Sequence, residues 1–447
     1  MTATKLAISV LGNFLSYRNA EYVIESNETE IVEHTRSSVV AIARAKRVDK
    51  IILLIPFSVA IAVCPELILS GKLEDAKKEL SAKAINLMKS EIPEETSIET
   101  YVLPNVGTFK LAGSGRLVQL LGSSGTFHEA VYLSIFNCLK PLGKLEIHMD
   151  VTHAINSLIL DAVDAIISSF RTLSAIDKVQ GSVRIYYSDP YVSDSPDTPL
   201  HIRAFKRELM ESSVSSSSML LSDFVANFNF NDYQRSLKPI DLPEFSDPRA
   251  LKKIAYNHNM GCVLLTSSLN DSLMKWKNGI LKMLEYNISQ PEDKEVDNQE
   301  NLMRIQMSQK IERELSAAYS VLEIMTSSPF RKGKEPSLED LKEMSRYIAP
   351  PGFYLIKQEI DYIKEISKRL NEGQNLLGQL IEGSNEASPK HPFSKSKYSQ
   401  CKTNDRNFIA HAGLERNVTW LIRNDKDIHL SYGPCLEEIK KSVRVFK

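Results

Sequence analysis

At 447 residues, with 43% hydrophobic and 25% charged residues, the chain is too long for one ordinary core and has the balance of a globular protein of two or three domains. Lys and Arg number 55 against 56 Asp and Glu, a formal net charge of -1, so no chain-wide positive field holds nucleic acid and any polyanion must be met locally. The most apolar run, 51–64, is interrupted by Pro56 and followed by Glu66, which falls short of the roughly 20 apolar residues of a membrane span.

Residues 1–190 alternate short β-rich apolar runs with helical patterns, the sign of a sheet covered by helices. Strands are predicted over 6–11, 50–55, 98–103, 144–149 and 183–187, and helices over 31–47, 76–90, 126–139 and 155–169. Because these strands are apolar nearly throughout, they suit a parallel sheet buried on both faces, a Rossmann-like α/β plan. The apolar start after Lys5 faintly imitates a leader peptide, but it lacks a clear small-residue cleavage pattern and a first strand accounts for it better.

In such sheets a ligand sits beyond the carboxyl ends of the strands. There the chain carries Gly12-Asn13 after the first strand, Gly107, Gly113 and Gly115 after the third, Gly122 to Gly125 before a helix, and Asp150-Val151-Thr152-His153-Ala154-Ile155-Asn156 after the fourth. Glycines and small hydroxyl residues let backbone approach a phosphate, and helix N-termini point N–H groups at it. With no GxGxxG or Walker lysine motif, a dinucleotide cofactor or ATP hydrolysis loses ground. His153 can contact such a ligand or pack beneath its own loop. His128 is a weaker candidate, whereas His258 and His391 are assigned to structure or surface. Asp150 closes a strand, where it more often caps the next helix than binds magnesium, and no HExxH cluster suggests a metal.

Residues 191–246 turn rich in Ser, Pro and Asp and read as a connector. From 247 to 447 the period is helical, giving an all-α second domain with helices over 249–286, 299–326, 337–348 and 352–381 and loops over 291–300 and 383–405. From 390 to 447 there are 12 Lys and Arg against 6 Asp and Glu, which makes this end the place for a polyanion unless it is simply a solvated basic face. The five cysteines, Cys64, Cys138, Cys262, Cys401 and Cys435, are odd in number and form no CxxC pair. That argues against a disulfide framework or zinc site and for a reducing cytoplasm.

The most informative segment is 404–415, Asn-Asp-Arg-Asn-Phe-Ile-Ala-His-Ala-Gly-Leu-Glu. Asn404 or Asp405 can cap a helix, placing Arg406 and Asn407 in its first turn, while Phe408, Ile409 and Leu414 anchor it. Asn407 and His411 share a face, and Arg406 lies about 140° around the axis from His411, within an arginine's reach. Metal-free RNA cleavage needs a proton taken from the 2'-hydroxyl, a proton given to the 5'-oxygen, and extra charge on phosphorus stabilised. A histidine moves protons near neutral pH and an arginine fork grips phosphoryl oxygens. Asn407 can orient the imidazole or the phosphate. Spacing alone equally fits a surface arginine beside a core histidine.

Composition around that pair is more specific. RNFIAHAGLE closely resembles the RNxxxH motif of the HEPN ribonucleases, and DVTHAIN resembles the D-x-T-H-G-x-N loop of CARF sensor domains, with Ala154 where glycine is usual. Together with LGN after the first strand, the chain resembles the CARF–HEPN ribonucleases of type III CRISPR systems. The resemblance implies a CARF-like sensor over 1–190 and a HEPN-like domain over 247–447. It further implies a cyclic oligoadenylate activator, tetra-adenylate by preference, single-stranded RNA as substrate, and a homodimer or higher assembly. Carried over, the catalytic positions are Arg406, Asn407 and His411, and the ligand loops hold Gly12, Asn13, Thr152, His153 and Asn156, with no metal or other cofactor. The rival is a non-catalytic sensor that binds nucleic acid or a partner protein.

Overall fold

Five runs of aliphatic and β-branched residues build the centre of the first unit: β1 (Thr4–Val10), β4 (Lys50–Pro56), β5 (Ser97–Leu103), β8 (Gly143–Asp150) and β9 (Val179–Ser188). In the computed structural model they lie parallel in the order β9-β8-β1-β4-β5. The structure describes residues 2–25, 30–153, 156–189, 198–210, 213–228, 248–289, 294–297, 302–307, 314–333, 335–368, 373–385, 401, 405–424 and 427–444. They form two units, residues 1–211 with 282–316, and residues 212–281 with 317–447.

Leu6, Ala7, Ile8 and Val10 of β1 are fully buried, as are Ile51 to Ile55 of β4, which is why these strands read as unbroken apolar runs. On one face Ala7, Ile51, Leu53 and Ile55 pack with helices Ser38–Lys46 and Leu73–Lys89 through Val39, Val40, Ala76 and Leu80. The other two predicted helices, Thr126–Leu139 and Asn156–Ala175, pack on each other and reach β5 and β9 respectively.

The sheet is wider than the sequence predicts. The order β3-β2-β10-β9-β8-β1-β4-β5 adds β2 (Ala20–Glu25), β3 (Glu30–Thr35) and β10 (Leu200–Met210). Residues 31–47, predicted as one helix, are β3 followed by helix Ser38–Lys46. An edge hairpin accounts for this, because Glu30 to His34 alternate between exposed and half-buried and Thr35 is buried, as in a strand with one covered face. The predicted connector over 191–246 is also corrected. Leu200 and Ile202 alternate inward and place 200–210 in the sheet beside β9, and Ser213–Asn227 is helical.

A second sheet in this unit has the order β11-β12-β7-β6, formed by β6 (Gly107–Lys110), β7 (Leu117–Leu121), β11 (Lys294–Asp297) and β12 (Leu302–Gln306). The predicted loop over 291–300 therefore contains a strand, and the predicted helix over 299–326 resolves into β12 and helix Glu314–Met325. Met303 and Ile305 are buried while their neighbours are half-buried, a period of two hidden inside a stretch otherwise rich in helix formers.

The second unit, the C-terminal region, is helical. Helices Pro248–Asn259, Val263–Ser268, Leu338–Ser345, Gly352–Ser367 and Leu436–Arg444 dominate it. Ser337 starts Leu338–Ser345 with a reciprocal cap: its hydroxyl accepts from the Asp340 N–H at 3.1 Å while the Asp340 carboxylate accepts from the Ser337 N–H at 2.9 Å. A small antiparallel sheet of β13 (Gly373–Leu376), β14 (Trp420–Asn424) and β15 (Asp427–Ser431) is added, so the helix predicted over 352–381 ends at Ser367. His258 is a core residue as expected. Its Nδ1 lies 2.9 Å from the Thr266 hydroxyl, its ring meets Phe330, and burial pushes it down to about 3. Among the described residues no helix is long and apolar enough to cross a membrane.

Candidate functional site

Strand order reverses at β1. It leads to β4 and β5 on one side and has β8 and β9 on the other, and a crevice opens outside the carboxyl ends of strands at such a point. Ser9 pairs with Asp150 in register, so the Gly12-Asn13 loop and the Val151-Thr152-His153 loop leave the sheet side by side. A methyl group at Gly12 would stand 2.4 Å from the His153 carbonyl oxygen, too close for any side chain, so this contact requires glycine. The Gly12 N–H donates to the Tyr17 hydroxyl at 3.2 Å. Asn13 is exposed, and its carbonyl accepts from the Ser16 N–H at 3.1 Å and the Ser16 hydroxyl at 2.7 Å.

Asp150 is the clasp of the second loop. Fully buried, its Oδ1 accepts from the Thr152 N–H at 3.1 Å and the Thr152 hydroxyl at 2.6 Å, and its Oδ2 accepts from Ser9 at 3.1 Å and Ser38 at 2.8 Å. Four donors around one carboxylate leave it a structural role, with the turn at Thr152 as its target. Thr152 Oγ1 also accepts from the Ser188 N–H at 3.1 Å. The His153 ring lies 4.3 Å from the Tyr17 ring, and its Nε2 is 3.4 Å from the Tyr22 hydroxyl. Burial lowers its pKa and so favours the neutral ring, an effect that the nearby Asp150 carboxylate partly opposes. Both tyrosine hydroxyls are pushed up by burial. Asn156 begins its helix, but its side chain and Ala154 lie outside the described residues.

Other sequence candidates separate from this crevice. Gly113 and Gly115 hold the positive φ values of the turn between β6 and β7, so the segment after β5 forms a hairpin there. His128 is buried with its Nε2 3.1 Å from Asp164, joining two helices. His391 lies outside the described residues.

In the second unit, helix Asp405–Ala410 carries Arg406 and Asn407, both exposed, and buries Phe408. Asp405 sits 3.6 Å from Lys253, a nearly buried amine whose pKa is lowered chiefly by burial. His411 is the residue after the last helical one, not an interior helical position, but its N–H still reaches the Asn407 carbonyl at 3.0 Å. The stop is a Schellman cap: Gly413 N–H bonds Phe408 O at 2.7 Å and Ala412 N–H bonds Ile409 O at 3.0 Å, with φ 48° at Ala412 and 77° at Gly413. Gly413 packs closely against Tyr432 and Cys262, and its carbonyl accepts from the Tyr432 hydroxyl at 2.8 Å. The backbone that presents His411 is therefore fixed, while its side chain is 49% exposed.

Two features of this segment carry no local sequence signal. His411 Nδ1 lies 2.9 Å from Oε1 of Glu359, 52 residues away on helix Gly352–Ser367. Cys401 and Cys435 are joined in a disulfide across a separation of 34 residues, which corrects the inference drawn from cysteine spacing. That bond encloses Arg406 to His411. Replacing both cysteines by serine is expected to lower the stability of this unit by about 2–4 kcal/mol, from the loop entropy restored to the unfolded chain. Thermal unfolding with and without reductant checks this, and an unchanged melting temperature in both would contradict it.

Comparison with known proteins adds the following. The family model of the CARF domain of CRISPR system endoribonuclease Csx1 matches residues 6–190, and that of the Csx1 HEPN domain matches residues 349–435. The first span contains Gly12 and His153, and the second contains Glu359, Arg406 and His411. The curated CRISPR system endoribonuclease Csx1 of Methanocaldococcus jannaschii is 25% identical over 433 residues, covering 93% of this chain and 86% of that protein. The solved structure of Enterococcus italicus Csm6 bound to cyclic hexa-2'-fluoro-hexa-dAMP is 10% identical and covers 99% of either chain at a TM-score of 0.27.

Proposed function

Since the chain belongs to the CARF–HEPN ribonucleases of CRISPR systems, we propose that it is a cyclic oligoadenylate-activated endoribonuclease of type III antiviral defence that cuts single-stranded RNA without a metal ion. The sensor is the region 1–190 with the sheet strands that join it, and the ribonuclease lies within 247–447. Gly12, Asn13, Thr152, His153 and Asn156 bind the activator, for which cyclic tetra-adenylate is the ring of choice. A ring with an even number of units meets identical loops of two copies across one axis, so sensing and homodimerisation go together.

Arg406, Asn407 and His411 carry the chemistry. The 2'-oxygen attacks phosphorus, the bond to the 5'-oxygen breaks, and a 2',3'-cyclic phosphate and a 5'-hydroxyl result. Arg406 holds the phosphoryl oxygens, Asn407 orients, and His411 takes or gives the proton. Pairing two copies supplies one imidazole for each proton transfer. Activation follows if the ring has higher affinity for the arrangement in which that cleft is competent. The cytoplasm, where the RNA is, is the site of action.

The observation that carries this reading is the pair of exposed side chains, Arg406 and His411, presented by one short capped helix within the HEPN-matched span. The test is labelled single-stranded RNA incubated with the full chain in EDTA, with and without cyclic tetra-adenylate and with cyclic hexa-adenylate as a second arm. Cutting that requires a ring and survives EDTA is expected. Activator binding without any cutting would favour the non-catalytic sensor.

A further inference from the structure

We infer that Glu359 is a positioning residue for His411, fixing which imidazole nitrogen does the chemistry. The inference rests on the proposed role of His411 and extends it to a residue that no local motif contains.

A carboxylate only accepts hydrogen bonds when ionised, so a contact of 2.9 Å between Glu359 Oε1 and His411 Nδ1 requires the proton to sit on Nδ1. The neutral ring then presents Nε2 as its lone-pair nitrogen, and Nε2 is the atom that takes a proton from a 2'-hydroxyl or returns one to a leaving 5'-oxygen. Which nitrogen reacts is set by the bond the other one makes. The imidazolium formed during the proton transfer also keeps its carboxylate neighbour, so charge appears where a counter-charge already stands.

The two ends of this contact are held separately. Helix Gly352–Ser367 buries Ile356, Ile360, Ile363 and Ile366, and Glu359 adjoins that stripe. Its start is fixed by a backbone approach that only glycines permit: a methyl on Gly352 would lie 2.3 Å from the Asn259 carbonyl, and one on Gly261 would lie 2.6 Å from the Gly352 carbonyl. On the other side, the Schellman cap and the Tyr432 hydroxyl hold the backbone of His411 to Gly413. The Glu359 side chain is 16% exposed against 49% for His411. The carboxylate thus forms the inner wall and the ring faces outward, the arrangement a reacting imidazole requires. It repeats the logic of the carboxylate that orients histidine in a Ser-His-Asp triad, in a wetter setting.

The experiment compares Glu359→Gln, Glu359→Ala and His411→Ala in the full chain, with labelled single-stranded RNA and cyclic tetra-adenylate. Glu359→Ala is expected to lower kcat by about 10- to 100-fold, less than the ~10⁴ of a fully buried triad carboxylate, with KM within about twofold. Glu359→Gln, whose amide oxygen still accepts from Nδ1–H, is expected to recover part of the loss. In the His411→Ala background, adding Glu359→Ala is expected to cost nothing further. Nitrogen-15 spectra of the His411 ring give a readout apart from activity: the Nδ1–H tautomer is expected in the unmodified chain and a mixture in Glu359→Ala. Should Glu359→Ala not fold, Glu359→Gln decides the matter through kcat and the tautomer. Wild-type kcat in both Glu359 variants with His411→Ala inactive would overturn the positioning role alone. Full cutting by His411→Ala would instead remove the reading on which it rests.

Discussion

Replacing His411 by alanine is expected to lower activator-dependent RNA cleavage by at least about 10³-fold, the scale on which a general acid or base contributes. Arg406→Ala is expected to do as much, and Arg406→Lys to recover little, because a lysine offers a point charge where two phosphoryl oxygens need a planar fork. The double variant is expected to be hardly worse than either single one, since groups that act together lose their effect together. Both side chains are exposed, so neither change is expected to move stability by more than about 1–2 kcal/mol, the loss of the His411–Glu359 contact included. Unfolding measured alongside the rate separates lost chemistry from a lost fold. Cleavage by His411→Ala at the unmodified rate would sink the assignment.

The second large effect is expected at the other unit. Gly12→Ala introduces a carbon where the His153 carbonyl oxygen stands 2.4 Å away. The obstacle is backbone, so one of the two loops must move. A shift there separates the loops on either side of the strand-order reversal and breaks the contacts that place His153 between Tyr17 and Tyr22. The overpacking itself costs about 1–3 kcal/mol of stability. Titration calorimetry with cyclic tetra-adenylate is expected to show Kd raised by about a hundredfold, equivalent to about 2.7 kcal/mol. Asn13→Ala, which alters an exposed side chain and leaves the loop contact intact, is expected to bind less well than the unmodified chain but better than Gly12→Ala. Unaltered affinity in Gly12→Ala would show that the activator lies elsewhere.

What could be read from the sequence follows from how each element is stabilised. Strands β1 and β4 are buried along most of their length, so their character is written locally as apolar runs, and helix Thr126–Leu139 has the predicted bounds. The edge strand β3 was not legible, because one exposed face mixes charges into the pattern and mimics a helix. β10 and β12 lie among polar stretches and pair with strands distant in the chain, β2 and β7. The Arg406 to His411 segment was visible because its chemistry is concentrated in six consecutive residues. Its supports were not: Glu359 is 52 residues away, and the Cys401–Cys435 bond spans 34. Asp150 stood out in the sequence, but only the fold shows that four donors from three segments satisfy it.

Proton transfer through His411 with Arg406 on the phosphate makes the RNA's own 2'-oxygen the nucleophile. The most direct test is therefore the chemistry of the new ends, on RNA cut in EDTA with cyclic tetra-adenylate present. The expected products carry a 2',3'-cyclic phosphate and a 5'-hydroxyl, and a single 2'-deoxy substitution at the cut position is expected to abolish that cut. Products ending in a 3'-hydroxyl and a 5'-phosphate, or undiminished cutting at the 2'-deoxy position, would contradict it.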